Sequence, residues 1–245
     1  LTHAASKDTT MISNAPLGAP RAGMPPPVSP PGMGLQGNRT DRLTRLKARL
    51  AKQGEASFFF YDAHFKSEAV KILPGEYFCF NEDLLIMTTL GSCIAVCLWD
   101  RQAKVGGMNH FMLPDNGGGA SDSGRYGSYA MELLINEMMK MGACRMTMEA
   151  KVFGGGAVIS GMSTINVGER NTAFVMEYLK TERIPVVSKD VLDIYPRKVC
   201  FLPFSGKAMV KRLAPSNPDA IVQQDRAAAQ RVVPVASGGG SIDLF

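Results

Sequence analysis

Apolar and polar positions along the 245-residue chain fall into short strand-like and helix-like runs through its middle and lose all periodicity towards both ends. The strongest pattern is a pair of apolar runs, residues 91–100 and 105–114, joined through the polar stretch Asp100 to Lys104; it predicts a β-hairpin. Upstream, residues 69–72 and 77–80 flank the turn signal Pro74-Gly75, and residues 84–88 read as a strand entering the Leu90-Gly91-Ser92 bend. Downstream, residues 126–141 place Ala130, Leu133, Leu134, Met138 and Met141 on one helical face, and Gly142 stops that helix. A strand is predicted over 146–153, running into Gly154-Gly155-Gly156. Asn166-Val167-Gly168-Glu169 carries the cap-plus-acid signature of a helix over 167–181. Residues 198–201 and 207–213 are the last two strands, around the turn Phe204-Ser205-Gly206. Strand runs outnumber helices and several pair through short turns, so the expected fold is α+β: a layered, largely antiparallel sheet with flanking helices.

The same pattern divides the chain. Residues 1–38 hold seven of the fifteen prolines among Gly, Ser and Ala, a composition too poor in apolar surface to offset ordering entropy, and are expected to be disordered. Residues 39–56 form a basic amphipathic helix and linker, with Leu43, Leu46 and Leu50 at helical spacing; a solvated flanking helix is the plainer reading, docking to an acidic partner or membrane surface the sharper one. Residues 57–214 are the folded domain. Residues 215–245 form a flexible tail whose Ile242-Asp243-Leu244-Phe245 end is either frayed or a tethered docking peptide.

Composition narrows the function classes. The net charge of +5 is concentrated in the basic helix, and neither a zinc-finger spacing nor a basic, aromatic-interleaved sheet signals a nucleic-acid partner. A secretory h-region and an unbroken apolar run of about 18 residues are both missing, which points to a cytoplasmic protein without membrane insertion. The five cysteines, Cys79, Cys93, Cys97, Cys144 and Cys200, lack paired-framework spacing and read as reduced thiols. Metal binding through Cys93 and Cys97 is disfavoured because CxxC and HxxxH spacings are absent. The three-glycine run lacks the Lys-Ser or Lys-Thr of a phosphate loop, so close approach to a neighbouring strand or bound peptide explains it better.

The chemistry lies in the hairpin. A connection of four or five residues places Cys93 opposite His110 or one position off; direct opposition would hold their Cβ atoms about 4.5–5.5 Å apart. An imidazole at that distance deprotonates a thiol and makes it a nucleophile for acyl carbons. His3 falls in the tail and His64 near the start of the core, leaving His110 as the base. Thr88, Thr89, Ser92, Asn109 and Asp115 are all near enough in sequence to orient the imidazole, and backbone amides at Gly91 and Ser92 are oxyanion-hole candidates. The residues alone define a cysteine amidohydrolase or acyltransferase.

Several ordered motifs carry a resemblance. Leu90-Gly91-Ser92-Cys93-Ile94-Ala95-Val96-Cys97, residues 106–114 from Gly106-Gly107-Met108-Asn109-His110 onward, Ala150-Lys151-Val152-Phe153-Gly154-Gly155-Gly156, Asn166-Val167-Gly168-Glu169-Arg170-Asn171 and Pro196-Arg197-Lys198-Val199 together resemble the chemoreceptor glutamine deamidases of the CheD family. The resemblance spans about residues 70–213. It implies a cytosolic, cysteine-hydrolase-like enzyme, without metal or organic cofactor, that hydrolyses glutamine side-chain amides on the helical cytoplasmic domains of methyl-accepting chemotaxis receptors. The family's nucleophile falls on Cys93 and its histidine on His110. Its threonine or serine falls on Thr88, Met87 standing where some members carry threonine. Asn109, Gly154 and Gly155 become substrate-groove candidates, with the loop at 117–124 at the rim. Family members also bind a chemotaxis phosphatase, and some remove receptor methyl esters. Glycines expected after Asp190 are replaced by Leu192 and Asp193. Two competing readings remain: a non-enzymatic adaptor that binds receptor or phosphatase, in which Cys93 is unreactive and far from His110, and a redox sensor in which Cys93 pairs with Cys97 or Cys200.

Overall fold

In a computed structural model of the chain the described residues are 36–113, 120–157, 167–214 and Gln223. Nearly all of the two predicted tails, and residues 117–119 of the predicted rim loop, lie outside them. The strands are β1 (Phe58–Asp62), β2 (Ser67–Lys71), β3 (Tyr77–Phe80), β4 (Leu85–Leu90), β5 (Ile94–Asp100), β6 (Val105–Phe111), β7 (Met148–Gly154), β8 (Val186–Val191), β9 (Arg197–Leu202) and β10 (Lys207–Arg212). The helices are α1 (Gln36–Ala48), α2 (Ala120–Lys140) and α3 (Val167–Thr181).

Two five-stranded sheets form, ordered β1-β2-β4-β9-β10 and β3-β6-β5-β7-β8. All pairings are antiparallel except β2 with β4 and β7 with β8. Parallel neighbours need a crossover, and α3 supplies it between β7 and β8. The architecture is the predicted α+β class with mainly antiparallel sheet.

β5 explains the layering. Its run is apolar at every position from Ile94 to Leu98, so it buries both faces. Ala95 and Cys97, with Cys93 just ahead of the strand, join Met108 and Phe153 in packing against Val70, Ile72, Ile86, Leu90, Val199 and Phe201 of the first sheet. Ile94, Val96 and Leu98 turn the other way, onto Met131, Leu134, Ile135 and Met138 of α2 and Val175 and Leu179 of α3. Each such side chain stabilises the fold by about 1.5–3 kcal/mol when fully buried. The order of layers is therefore helices, second sheet, first sheet.

Several expectations change. The Pro74-Gly75 turn does not close a hairpin; it carries the chain from β2 in one sheet to β3 in the other. β8 was not foreseen, because Val186–Val191 is a largely exposed edge strand whose Ser-Lys-Asp centre gives no apolar alternation. Residues 120–124, expected as loop, open α2, and residues 36–38, expected as disordered tail, open α1. α1 is also no solvated appendage. Leu46 is buried, Leu43 packs beside it, Arg42 bridges Glu68 and Glu82, and Arg49 pairs with Glu55, so the helix is docked on the sandwich edge ahead of the predicted domain boundary at 57. Leu50, the third leucine of the stripe, lies past the helix end and is exposed.

Backbone geometry accounts for two departures from ordinary residue choice. Leu192 and Asp193 both take left-handed φ, 64° and 67°, where the family resemblance calls for glycine. That conformation is held by Leu192 N–H donating to Gly154 O at 2.8 Å and by Arg197 donating to Leu192 O at 2.6 Å. At the β9–β10 turn, Gly206 has φ 68°, and a Cβ there would lie 2.3 Å from the Trp99 ring of β5. Gly206→Ala is expected to lower unfolding free energy by about 2–4 kcal/mol in urea titrations, the cost of left-handed strain plus overpacking. A loss below about 0.5 kcal/mol would show that this turn does not close against Trp99.

Candidate active site

His110 sits on β6 with its ring between the two sheets, fully buried. Across from it, the alternation of β4 sends Ile86, Thr88 and Leu90 inward and Met87 to the outer face. Thr88 Oγ1 lies 2.8 Å from His110 Nδ1 and 2.9 Å from the Ile72 carbonyl oxygen. A threonine hydroxyl has one hydrogen, which it donates to the carbonyl that can only accept. Nδ1–H must then donate to Thr88 Oγ1, and Nε2 carries the lone pair. Nε2 is buried and has no hydrogen-bond partner among the described residues. The strand backbone is held on its other side: His110 N–H donates to Glu76 O at 2.9 Å, and Gly75 N–H donates to His110 O at 2.7 Å. Burial drives the imidazole pKa down to about 3, with the Ile72 carbonyl pulling weakly the other way, so the ring is a neutral base.

Cys93 lies in the bend between β4 and β5 and is fully buried. The hairpin register differs from the expectation. β5 and β6 pair as far as Asp100 and Val105, so Ala95, not Cys93, stands opposite His110. Cys93 precedes Ala95 by two residues and shares its face, which makes Cys93 and His110 diagonal neighbours, within reach of long side chains but not directly opposed.

The bend is gripped by backbone and by one asparagine. Gly155 N–H donates to Cys93 O and Gly156 N–H to Gly91 O, each at 2.8 Å. Asn171 of α3, fully buried, donates to Ser92 O at 2.8 Å and accepts from Leu113 N–H at 3.1 Å, tying the Cys93 bend to the segment just past β6. Because a trans peptide sets its N–H opposite the preceding C=O, pinning Gly91 O and Ser92 O aims the Ser92 and Cys93 amides away from these anchors. A Cβ on Gly154 would sit 2.1 Å from Cys93 O, and one on Gly155 2.4 Å from Thr172 Oγ1. The glycine run therefore permits close approach to the cysteine bend.

The remaining candidates fall elsewhere. Asn109 faces the helices, where its side chain accepts from Val96 N–H and donates to Ala130 O. Thr89 alternates to the outer face, and His64 is exposed in the β1–β2 turn. Asp115 lies outside the described residues. Burial raises the thiol pKa of Cys97 and Cys200 and pushes that of Cys79 up to about 12, so all three favour the neutral thiol. None of the five cysteines is joined in a disulfide. Among the described residues there is no cluster of three or more His, Cys, Asp or Glu suited to a metal, and no helix long and apolar enough to cross a membrane. Asn171 was not singled out for the site in the sequence, although it closes the Asn166–Asn171 motif; only tertiary contact reveals its two partners.

Comparison with known proteins places this chain in a class of chemotaxis proteins. A family model described as CheD chemotactic sensory transduction matches residues 112–212. A probable chemoreceptor glutamine deamidase CheD 1 of Albidiferax ferrireducens is 60% identical over 211 residues, covering 86% of this chain and 90% of its own. Counterparts from Janthinobacterium sp. (strain Marseille) and Dechloromonas aromatica are 50% and 51% identical, covering 81% and 76% of this chain and 99% and 93% of theirs. The chain belongs to the CheD family.

A buried neutral histidine makes stability pH-dependent. Its folded pKa lies below the ordinary value of 6.5, so the unfolded chain alone takes up a proton between those values. This contribution is complete above about pH 6.5 and is lost progressively towards pH 3. Between pH 6 and 4, the unfolding free energy of wild type should fall more steeply than that of His110→Gln, by up to about 1.4 kcal/mol per pH unit. Equal slopes in urea titrations would contradict a neutral, buried His110.

Proposed function

We propose that this chain is a protein-glutamine glutaminase of the cytoplasm, converting glutamine side chains to glutamate on the helical cytoplasmic domains of methyl-accepting chemotaxis receptors. The observation that carries the reading is the pairing of Thr88 Oγ1 with His110 Nδ1, which leaves Nε2 as the base on the face shared with Cys93. Membership in a family whose relatives are named chemoreceptor glutamine deamidases supports the substrate.

The chemistry follows from these positions. His110 Nε2 takes the Cys93 proton, and the thiolate sulfur attacks the carboxamide carbon, forming a C–S bond and an oxyanion. The Ser92 and Cys93 amides, set by Gly156 and Asn171, stabilise that oxyanion. Collapse breaks the C–N bond, and the nitrogen leaves as ammonia with the proton from His110. Water, deprotonated by the same Nε2, attacks the thioester; the C–S bond breaks, the thiol recovers its proton and glutamate is released. Thr88 holds the tautomer throughout.

Incubating receptor cytoplasmic fragments with the protein should add about 1 Da at each modified glutamine by intact mass and peptide mapping. Cys93→Ala should give no mass gain. Thr88→Val, which keeps shape but loses the hydroxyl, should lower kcat about 10- to 100-fold. Cys97→Ala should keep most of the activity. Wild-type rates in Cys93→Ala would rule out the thiol mechanism.

A further inference from the structure

The outer face of the first sheet, turned away from the second, is apolar where water would favour polar side chains. Ala69, Leu85, Met87 and Cys200 form a separate cluster on it, with Phe60 and Met209 packed alongside, and among the described residues no helix contributes to that cluster. Yet Leu85 is 1% exposed, Ala69 0% and Cys200 4%. A sheet with one wet face alternates apolar with polar, whereas strands that are apolar on both faces, such as Leu85-Ile86-Met87 of β4, belong between two covering layers. Helices α2 and α3 cover the second sheet and α1 docks at the sandwich edge, so none of the described helices supplies the outer layer here.

The sequence after β10 has the form of that layer. β10 is the edge strand of this sheet and ends at Arg212. Asn217-Pro218-Asp219 then reads as a helix start, with a cap, a proline at the first helical position and an acid in the first turn; Pro234 reads as a stop. Between them Ile221, Ala228 and Val232 fall on one helical stripe, with Val222, Ala229 and Val233 beside it. Gln223, the single described residue of this stretch, is helical and exposed, and the helical period puts it on the far side from the stripe. A helix over 218–233 is about 24 Å long, enough to cross five strands spaced about 4.8 Å apart.

We propose that residues 218–233 fold back as a helix onto the outer face of the first sheet, with the Ile221-Ala228-Val232 stripe over Leu85, Met87 and Cys200. This replaces the expectation of a flexible tail for that stretch and adds a layer behind β4, the strand that carries Thr88. Charge favours the same occupant. Strand alternation puts Lys71, Lys198, Lys207 and Lys211 on this face, around the apolar cluster, where they offer partners to Asp225, the acid inside the stripe. Two copies of the face would bring those lysines against one another, and residues 1–35, with seven prolines, are poorly suited to a regular layer.

Cys200 lies beneath the proposed helix, so its alkylation by iodoacetamide in the full chain, read at the Cys200 peptide, reports the cover. Exposed Cys144 and Cys97 of the sheet interior serve as references. Ile221→Asp with Val232→Asp should speed Cys200 labelling at least about 10-fold and leave the two references unchanged. Gln223→Asp with Gln230→Asp, the same added charge on the far side, should change it less than about 2-fold. In Ala228→Cys, a short bismaleimide should join the introduced thiol to Cys200 within one chain, by intact mass and peptide mapping. Unchanged Cys200 labelling in the Ile221/Val232 variant overturns the proposal, and so does equal acceleration by both pairs. If Cys97 labelling rises too, the domain itself has opened and the cross-link decides. A cross-link that fails to form, or that forms only between two chains and so assigns the helix to a second copy, overturns the proposal.

Discussion

One hydrogen-bonded relay joins the two sheets: Ile72 carbonyl, Thr88 hydroxyl, His110 ring. Its first two members come from the first sheet and its end of β2, its third from the second, so it exists only while the inner faces are packed together. In a dry interior an unpaired ring N–H costs about 1–3 kcal/mol, which makes Thr88 the group that renders a buried histidine tolerable. The same bond selects the tautomer. Among the described residues, what stays unsatisfied is the Nε2 lone pair, on the face of β6 that Cys93 shares.

The Cys93 bend is positioned differently, through its own main-chain carbonyls. Three successive carbonyls, those of Gly91, Ser92 and Cys93, are held by Gly156, Asn171 and Gly155. Such anchoring removes the freedom of a bend that would otherwise sample many peptide orientations and fixes the directions of the Ser92 and Cys93 amides. It also explains why α3 must pack tightly on the end of β7: a Cβ on Gly168 would lie 2.2 Å from Gly155 O, so glycines on both sides bring helix and bend together. Arg197, fully buried, extends the same region by pairing with Asp190 at 2.8 Å and donating to the carbonyls of Tyr195 and Leu192.

The two faces of β6 are built differently. The sheet interior and α3 enclose Cys93 and the His110 ring, while a small cavity bordered by the β2–β3 turn and by Tyr126, Tyr129 and Leu133 of α2 lies on the opposite, helix-side face.

Much of this was legible from residue order, and the reasons are local. The hairpin, α3 at its observed bounds, the body of α2 and the strands around 77–80, 85–90 and 197–202 follow from periodicity and cap or turn residues, which act over a few positions of chain. Cys93 and His110 stood out because they open and close one hairpin, and the choice among nearby hydroxyls was narrowed only by resemblance. Tertiary structure decided the rest. Whether Thr88 or Thr89 meets the imidazole depends on which face of β4 packs inward, and Cys93 proved diagonal rather than opposite because ladder pairing continues to Asp100 and Val105. The two hydrogen bonds of Asn171, and the crossing of the Pro74-Gly75 turn between sheets, depend on contacts between segments far apart in the chain, which no local periodicity encodes.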